Sequence, residues 1–372
     1  MAIEIRPFTQ EHVPEVLAFN HRLAQNGGKF QFRESPIPSW LPRRDPIPVY
    51  EEYFVAMEGA MVRGGYILKP QPFAVRGQVQ GIANIQLPLS EGTFDNRYGM
   101  LGMQLLKDAL AREPLLFGLG MGGLNQPFPR LLKIVKWRLI PCPFHFRVAH
   151  PFRFLREIKY LRQKRSRRLL LDALAFSGFG WFGFKALHKW KDWQGFQGSA
   201  GTKCQLVAEF SSWADVLWER ARSHYALIAV RDAIILNTLY PASDERFLRL
   251  QVLRQGETIG WAVLLDTRMT DHKQFGNMRL GSLVDCLALP GSEPEVVVAA
   301  TRLLLERGVD LIVSNQLHRA WREALDQAGF LQGPSNFVFA ASPALAALLD
   351  PFEATVDQVH MTRGDGDGPI HL

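Results

Sequence analysis

Asp285 sits in the middle of an apolar strand run, GSLVDCLALPG (281–291). A carboxylate buried in such a run is costly unless a partner holds it, so Asp285 is a candidate for proton transfer. A hydrogen-bonded structural aspartate is the other reading. Its neighbour Cys286 cannot share one site with it, because adjacent strand residues point to opposite faces. His318 begins a later helix-period segment, and the tail HMTRGDGDG (360–368) offers His360, Arg363 and Asp365. Groups of these types can accept a proton or hold a polar substrate when placed within hydrogen-bond reach. The tail is either a loose terminus or a segment tucked into a cleft, where these three side chains would face a substrate. It does not fit the calcium-loop spacing with its distant glutamate, so no metal is expected there. The three cysteines, Cys142, Cys204 and Cys286, lie far apart and form no C-x-x-C pair. That disfavours a disulfide framework or a zinc site and suits a reducing compartment.

The elements that would position these groups occur twice, about 190 residues apart. The first copy runs GQVQGIANIQLPLSEG (77–92), GMQLLKDALARE (102–113), LLFGLGM (115–121) and NQPFPRLLKIVKW (125–137). The second runs from the strand of Asp285 through EVVVAATRLLLERG (295–308), DLIVSN (310–315) and QLHRAWREALDQAGF (316–330). Each is a strand, a helix, a strand ending at an asparagine, and another helix. Two strand runs lie upstream of the first copy, and with its opening strand they form three successive antiparallel strands joined by turns at Gly59 and Gly77. RLIPCPFHFRVAHP (138–151) reads as a strand pair that completes the first unit, and NFVFAAS (336–342) as a strand that closes the second.

A chain of 372 residues is long enough for two cores. The opening MAIEIRPFTQ reads as a strand and lacks the layout of a secretion signal, so a cytoplasmic place is expected. The net charge of +7 is concentrated: residues 153–168 hold eight Lys or Arg and one Glu, followed by the nearly apolar run 169–187. This segment is read either as interdomain packing or as a surface contact with anionic membrane through 153–187, peripheral to an inner membrane. A span is disfavoured by its glycines and Asp172. No nucleic-acid partner is expected, because no reader motif accompanies the bases.

The order strand, helix, three antiparallel strands, helix, strand, helix, strand resembles the GCN5-related N-acetyltransferase superfamily, and the tandem layout resembles its bacterial two-domain members. The resemblance covers 1–148 and 203–342. It implies an α/β fold of two mixed-sheet domains, 1–151 and 203–349, joined by the linker 152–202 and followed by the tail 350–372. It also implies acyl-CoA as co-substrate, acetyl-CoA or longer. The family's pyrophosphate loop, Q/R-x-x-G-x-G/A, corresponds here to DNRYGMLGMQLL. Arg97 matches its first position and Gly102 its last, and Met100 stands at the middle glycine with Gly99 beside it. Loop glycines let amides approach phosphates, and the helix dipole favours the negative charge. Asn125 and Asn315 match the family's strand-to-helix asparagine. The second unit has PGSEPEVVVAA at this point, where Glu293 and Glu295 would repel phosphate. In the family a carboxylate deprotonates the amine and a tyrosine protonates the thiolate. In the first unit Glu91 and Tyr98 are the nearest such groups. The expected function is therefore acyl transfer from acyl-CoA to an amine of a sugar, lipid precursor or small metabolite. The alternative is a catalytically silent scaffold that keeps the fold.

Overall fold

The structure, a computed structural model, describes residues 3–159 and 201–368. It contains two mixed β-sheets. The first half supplies β1 (Ile3–Pro7), the helix Val13–Gln25, β2 (Glu52–Glu58), β3 (Met61–Val75) and β4 (Gln78–Ser90). The helix Leu101–Arg112, β5 (Leu116–Gly120), the helix Pro127–Ile134, β6 (Arg138–Pro141), β7 (Phe144–Val148) and the helix Pro151–Glu157 follow. The second half supplies β8 (Thr202–Val207), the helix Ser212–Ala221, β9 (Leu227–Ala229), the helix Ala233–Leu239, β10 (Leu248–Arg254), β11 (Glu257–Arg268) and β12 (Arg279–Ala288). It continues with the helix Glu293–Glu306, β13 (Leu311–Asn315), the helix Arg319–Gln327, β14 (Leu331–Gly333), β15 (Val338–Ala341) and the short helices Pro343–Leu348 and Phe352–Thr355.

Local chemistry explains the turns. Gly59 and Gly77 take φ of 60° and 84°, conformations open to glycine, and they reverse the chain between β2, β3 and β4. The helix Val13–Gln25 packs Val16, Phe19 and Leu23 on one face of the first sheet, against Val55 and Ile67. The helix Leu101–Arg112 buries Leu105, Leu106 and Ala109 against Ala83, Ile85 and Leu116 of that sheet. Each large apolar side chain buried this way stabilises the fold by about 1.5–3 kcal/mol.

The strand orders depart from the sequence reading. The first sheet runs β1-β2-β3-β4-β5-β15-β6, with β9 also on β3; the second runs β14-β7-β13-β12-β11-β10-β8. The segment 138–151 is therefore not a strand pair. β6 stays in the first sheet and β7 crosses to the second, where it pairs with β13 and β14. Pro141 and Pro143 flank the crossing and lack the N–H groups a hairpin there would need. In return, β15 closes the first sheet instead of the second, between β5 and β6.

The tail is also not loose. Val359, His360, Met361, Thr362 and Asp365 are fully buried. The His360 N–H donates to the Leu227 carbonyl, and the Leu317 N–H donates to the Met361 carbonyl. Of the basic and apolar segment, only 153–159 is described. There Phe154 and Leu155 pack against Met278 and Leu280, and the rest of 153–187 lies outside the described residues. Among the described residues no helix is long and apolar enough to cross a membrane.

Candidate active site at the splay of β4 and β5

β4 and β5 are parallel but pair only at Ala83↔Leu116 and Asn84↔Phe117. Beyond Asn84 they diverge. A register shift against β3, with Leu87 at φ 47°, bends β4 away. At the last paired step a polar row crosses the sheet. Lys69 on β3 faces Asn84 on β4, and one step beyond the β2–β3 pair Glu52↔Leu68 puts Glu51 opposite Lys69. Direct partners share a face. Gln71 and Gln86 flank the row on the same face, two residues along each strand. All five side chains are buried.

The tail lies on this row. Lys69 Nζ donates to the carbonyls of Asp365 (2.8 Å), Gly366 (2.7 Å) and Gly364 (3.4 Å). Asn84 Nδ2 donates to the Asp365 carbonyl at 3.3 Å, and Gln86 Nε2 to that of Gly366 at 3.2 Å. Burial pulls the Lys69 ammonium down to about 8, against the pull of Asp365 and Glu51. Among the described residues, the Gln71 amide and Asn84 Oδ1 are buried without a hydrogen-bond partner. Gly364 is required where it stands: a Cβ there would lie 2.0 Å from Tyr240 Oη.

The same turn binds the second unit. Arg231, fully buried, reaches Asp365 at 2.6 Å and Asp285 at 2.9 Å. Tyr240 Oη and Thr362 Oγ1 donate to Asp285 at 2.8 and 3.2 Å. Burial raises Asp285 above the ordinary carboxylate range, with Arg231 opposing. Asp365 is also penalised by burial, but Arg231 and His360 hold it below its ordinary value. The structure thus brings Asp285, Asp365 and Thr362 into one ion-paired cluster.

His360 sits beside it, with its ring edge-on to Tyr225 (5.2 Å) and Trp321 (6.3 Å). The ring faces the backbone of Cys286, yet neither nitrogen reaches hydrogen-bond geometry. Burial, then Arg231, pushes it down to about 3. His318 stands at the N-cap position of the helix Arg319–Gln327 without a side-chain capping bond, its ring against Tyr225, and burial lowers it to about 4. Arg363 Nε donates to Asn315 Oδ1 at 3.0 Å, and burial brings Arg363 down to about 10.

The remaining sequence candidates lie elsewhere. Glu91 is seven residues past Asn84, roughly 20 Å along the strand direction. It is gripped by Arg22 at 2.6 Å and Arg63 at 3.0 Å. Tyr98 Oη donates to Glu58 at 2.7 Å, a bond that raises its pKa. Arg97 is exposed and paired with Asp95 at 2.7 Å. Gly99 precedes the helix Leu101–Arg112 and Gly102 lies in its first turn; the helix has no side-chain N-cap bond, and the Met103 N–H donates to the Met100 carbonyl. The loop glycine with no room for a side chain is Gly92, whose Cβ would lie 2.2 Å from the Tyr98 carbonyl. Asn125 is exposed in the turn after β5. Among the described residues no His, Cys, Asp and Glu cluster could hold a metal ion.

The second unit repeats the splay with a different content. β12 and β13 pair from Leu280↔Leu311 to Leu283↔Ser314 and then part. Beyond that point Gln316 Nε2 meets Cys286 Sγ (3.5 Å) and Ser314 Oγ (3.3 Å), and the Met361 carbonyl is bonded to Leu317. The helix that follows β12 carries Glu293 and Glu295 in its first turn.

Sequence reading missed Glu51, Lys69, Gln71 and Arg231. Lys69 and Gln71 lie within an apolar run, the signal that singled out Asp285, whereas Glu51 and Arg231 each stand beside a second charged residue, Glu52 and Asp232, and carry no such signal.

No family model matches the sequence, and no curated relative matches it either. Solved structures do match. A conserved protein of unknown function from Enterococcus faecalis V583, described as a probable N-acyltransferase, aligns at 10% identity and a TM-score of 0.51, covering 94% of this chain and 75% of that one. A GCN5-related N-acetyltransferase (GNAT) from Anabaena variabilis ATCC 29413 aligns at 10% identity and a TM-score of 0.51, covering 91% and 72%. A tandem GNAT protein from the clavulanic acid biosynthesis pathway aligns at 13% identity and a TM-score of 0.45, covering 91% and 98%. By its two mixed sheets, its repeated splay and its likeness to the first two of these structures, the chain carries the GCN5-related N-acetyltransferase fold twice in tandem.

Proposed function

We propose that the protein transfers an acyl group from acyl-CoA to an amino group, and that the first unit carries the reaction. The observation behind this reading is the contrast between the two splays. In the first, β4 and β5 part beside a helix whose first-turn amides have no side-chain cap. In the second, the corresponding helix is likewise without a side-chain cap, but Glu293 and Glu295 stand in its first turn, while tail backbone lies at both splays. A helix N-terminus favours phosphate and disfavours it once acidic side chains crowd the first turn. Exposed Arg97 can turn from Asp95 toward a phosphate, and the Cβ position of Gly102 leaves ordinary space against Leu131. The acceptor belongs to the amines of sugars, lipid precursors or small metabolites.

Calorimetry with acetyl-CoA and longer acyl-CoAs tests the reading. Gly102→Glu puts a negative charge where the pyrophosphate would sit and should weaken binding at least tenfold, leaving thermal unfolding near that of the parent. Equal binding by the variant would move the nucleotide away from this helix. No binding by the parent would leave a fold kept as a scaffold.

A further inference from the structure

Of the buried carboxylates, Glu91, Asp266, Asp285, Asp310 and Asp365 are each held by at least one arginine. Glu293, in the first turn of the helix Glu293–Glu306, has no ion-pair partner among the described residues. Glu51, 4% exposed, has no ion-pair partner among the described residues. Its Oε2 accepts a hydrogen bond from Tyr53 Oη at 2.9 Å, which fixes the carboxyl and leaves Oε1 for another donor. The charged groups facing it are Lys69 from β3, Arg33 from the loop ahead of β2, and Asp367 from the tail. Burial outweighs Tyr53, Lys69 and Arg33 and raises the pKa of Glu51 above its ordinary value. This combination of an oriented oxygen, no arginine ion pair among the described residues and restricted water suits a proton acceptor better than a structural anchor.

Position agrees with chemistry. Glu51, Lys69 and Asn84 form one row on one face, and the row ends where β4 and β5 begin to part. Strands lie about 4.8 Å apart, so the Glu51 and Asn84 backbones are about 10 Å apart, a gap that a glutamate side chain and one water bridge. Asn84 Oδ1 and Gln71 Oε1, both buried and without a partner among the described residues, face the same side and can accept from an amine N–H.

From this arrangement we infer that Glu51 is the general base of the acyl transfer, with Asn84 and Gln71 seating the acceptor amine. The inference rests on the acyltransferase reading. An acceptor ammonium gives one proton to the Glu51 carboxylate, directly or through a water. The freed nitrogen lone pair attacks the thioester carbonyl, the C–N bond forms and the C–S bond breaks. The leaving thiolate takes the second amine proton, and Glu51 returns its proton to solvent. The sum is amide, free thiol and one released proton.

The test compares the parent with Glu51→Gln, which keeps the shape and the acceptor for Tyr53. Thiol release from acetyl-CoA is followed with ethanolamine, glucosamine and glycinamide as amine probes, from pH 5 to 9. Acetyl-CoA binding and thermal unfolding are measured alongside. The expected result is a loss of about 100-fold or more in kcat, within the usual range for a general base. Acetyl-CoA affinity stays within twofold, and the acid limb of the kcat/KM profile disappears. Glu51→Asp should recover part of the rate. Turnover by Glu51→Gln within threefold of the parent overturns the assignment and leaves the acyltransferase reading standing. A parent that binds no acetyl-CoA and releases no thiol with any probe overturns both.

Discussion

His360 is fully buried as a neutral ring, and that has a cost that depends on pH. Its folded pKa, about 3, lies below its ordinary 6.5, so below pH 6.5 the unfolded chain takes up a proton that the native protein refuses. Stability from this group is complete above 6.5 and is lost as pH falls toward the folded value. The slope is about 1.4 kcal/mol per pH unit for one such group. His318, lowered to about 4, acts in the same direction over a slightly narrower window. Urea unfolding at pH 7, 6 and 5 should show falling stability, and His360→Leu should reduce that fall by roughly half. An unchanged slope in the variant would place the titration on other groups. Asp285 was legible as a polar residue in an apolar run, and His360, Arg363 and Asp365 as the polar groups of a tail that could tuck into a cleft; the structure gathers them at one seam. Arg231, the ion-pair partner of Asp285 and Asp365, was not legible. Opening the segment RDAIILNTLY, it reads as a surface residue ahead of a helix. Glu91 and Tyr98 were chosen by proximity to the loop, which says nothing of the arginines and the carboxylate that hold them.

Among the elements, the tail is where sequence and structure differ most. With a Gly/Asp-rich end and few apolar letters, it reads as an expendable terminus on which the fold does not depend. In the structure Val359 and Met361 are fully buried, and carbonyls 364–366 are the hydrogen-bond acceptors of the Lys69 ammonium. A chain ending at Gln358 loses both apolar side chains, about 1.5–3 kcal/mol each. It also leaves Lys69 without those carbonyls and Arg231 without Asp365. Removing one partner of a buried pair typically costs about 3–5 kcal/mol. Together these approach the whole stability of an ordinary domain, about 5–15 kcal/mol. The truncated chain should therefore lack a cooperative thermal transition and be cleaved quickly by protease. Lys69→Met in the full chain removes the ammonium along with its need for partners, and should unfold cooperatively at a moderately lower temperature. A truncated protein that melts like the parent would show that the tail rests on the seam without supporting it.

For the molecule as a whole, the repeat was visible in the sequence but its wiring was not. Alternation along a strand shows which face is buried, not which neighbour it pairs with, so β7 and β15 were each assigned to the nearest unit. In the structure they change places, and β9 also leaves the second half to pair with β3. Neither half then owns a complete sheet. Alone, residues 1–159 would leave a gap between β5 and β6 where β15 belongs, with unpaired edges and an uncovered patch facing buried Phe339 and Ala341. Residues 201–372 alone would leave β13 and β14 without the strand between them. Exposed edges of this kind invite intermolecular pairing. Expressed separately, each half should be insoluble or lack a cooperative transition. Expressed together, with the chain cut between 159 and 201, they should co-purify one to one and regain the parent's acetyl-CoA binding. The measurement is co-purification through a tag on one half, followed by thermal unfolding of the complex. A first half that is soluble alone and melts cooperatively would show that β15 is an addition to a self-sufficient sheet. The seam holding Glu51, Lys69 and the tail would then be an interface between two independent domains, and not the shared interior that the exchange makes it.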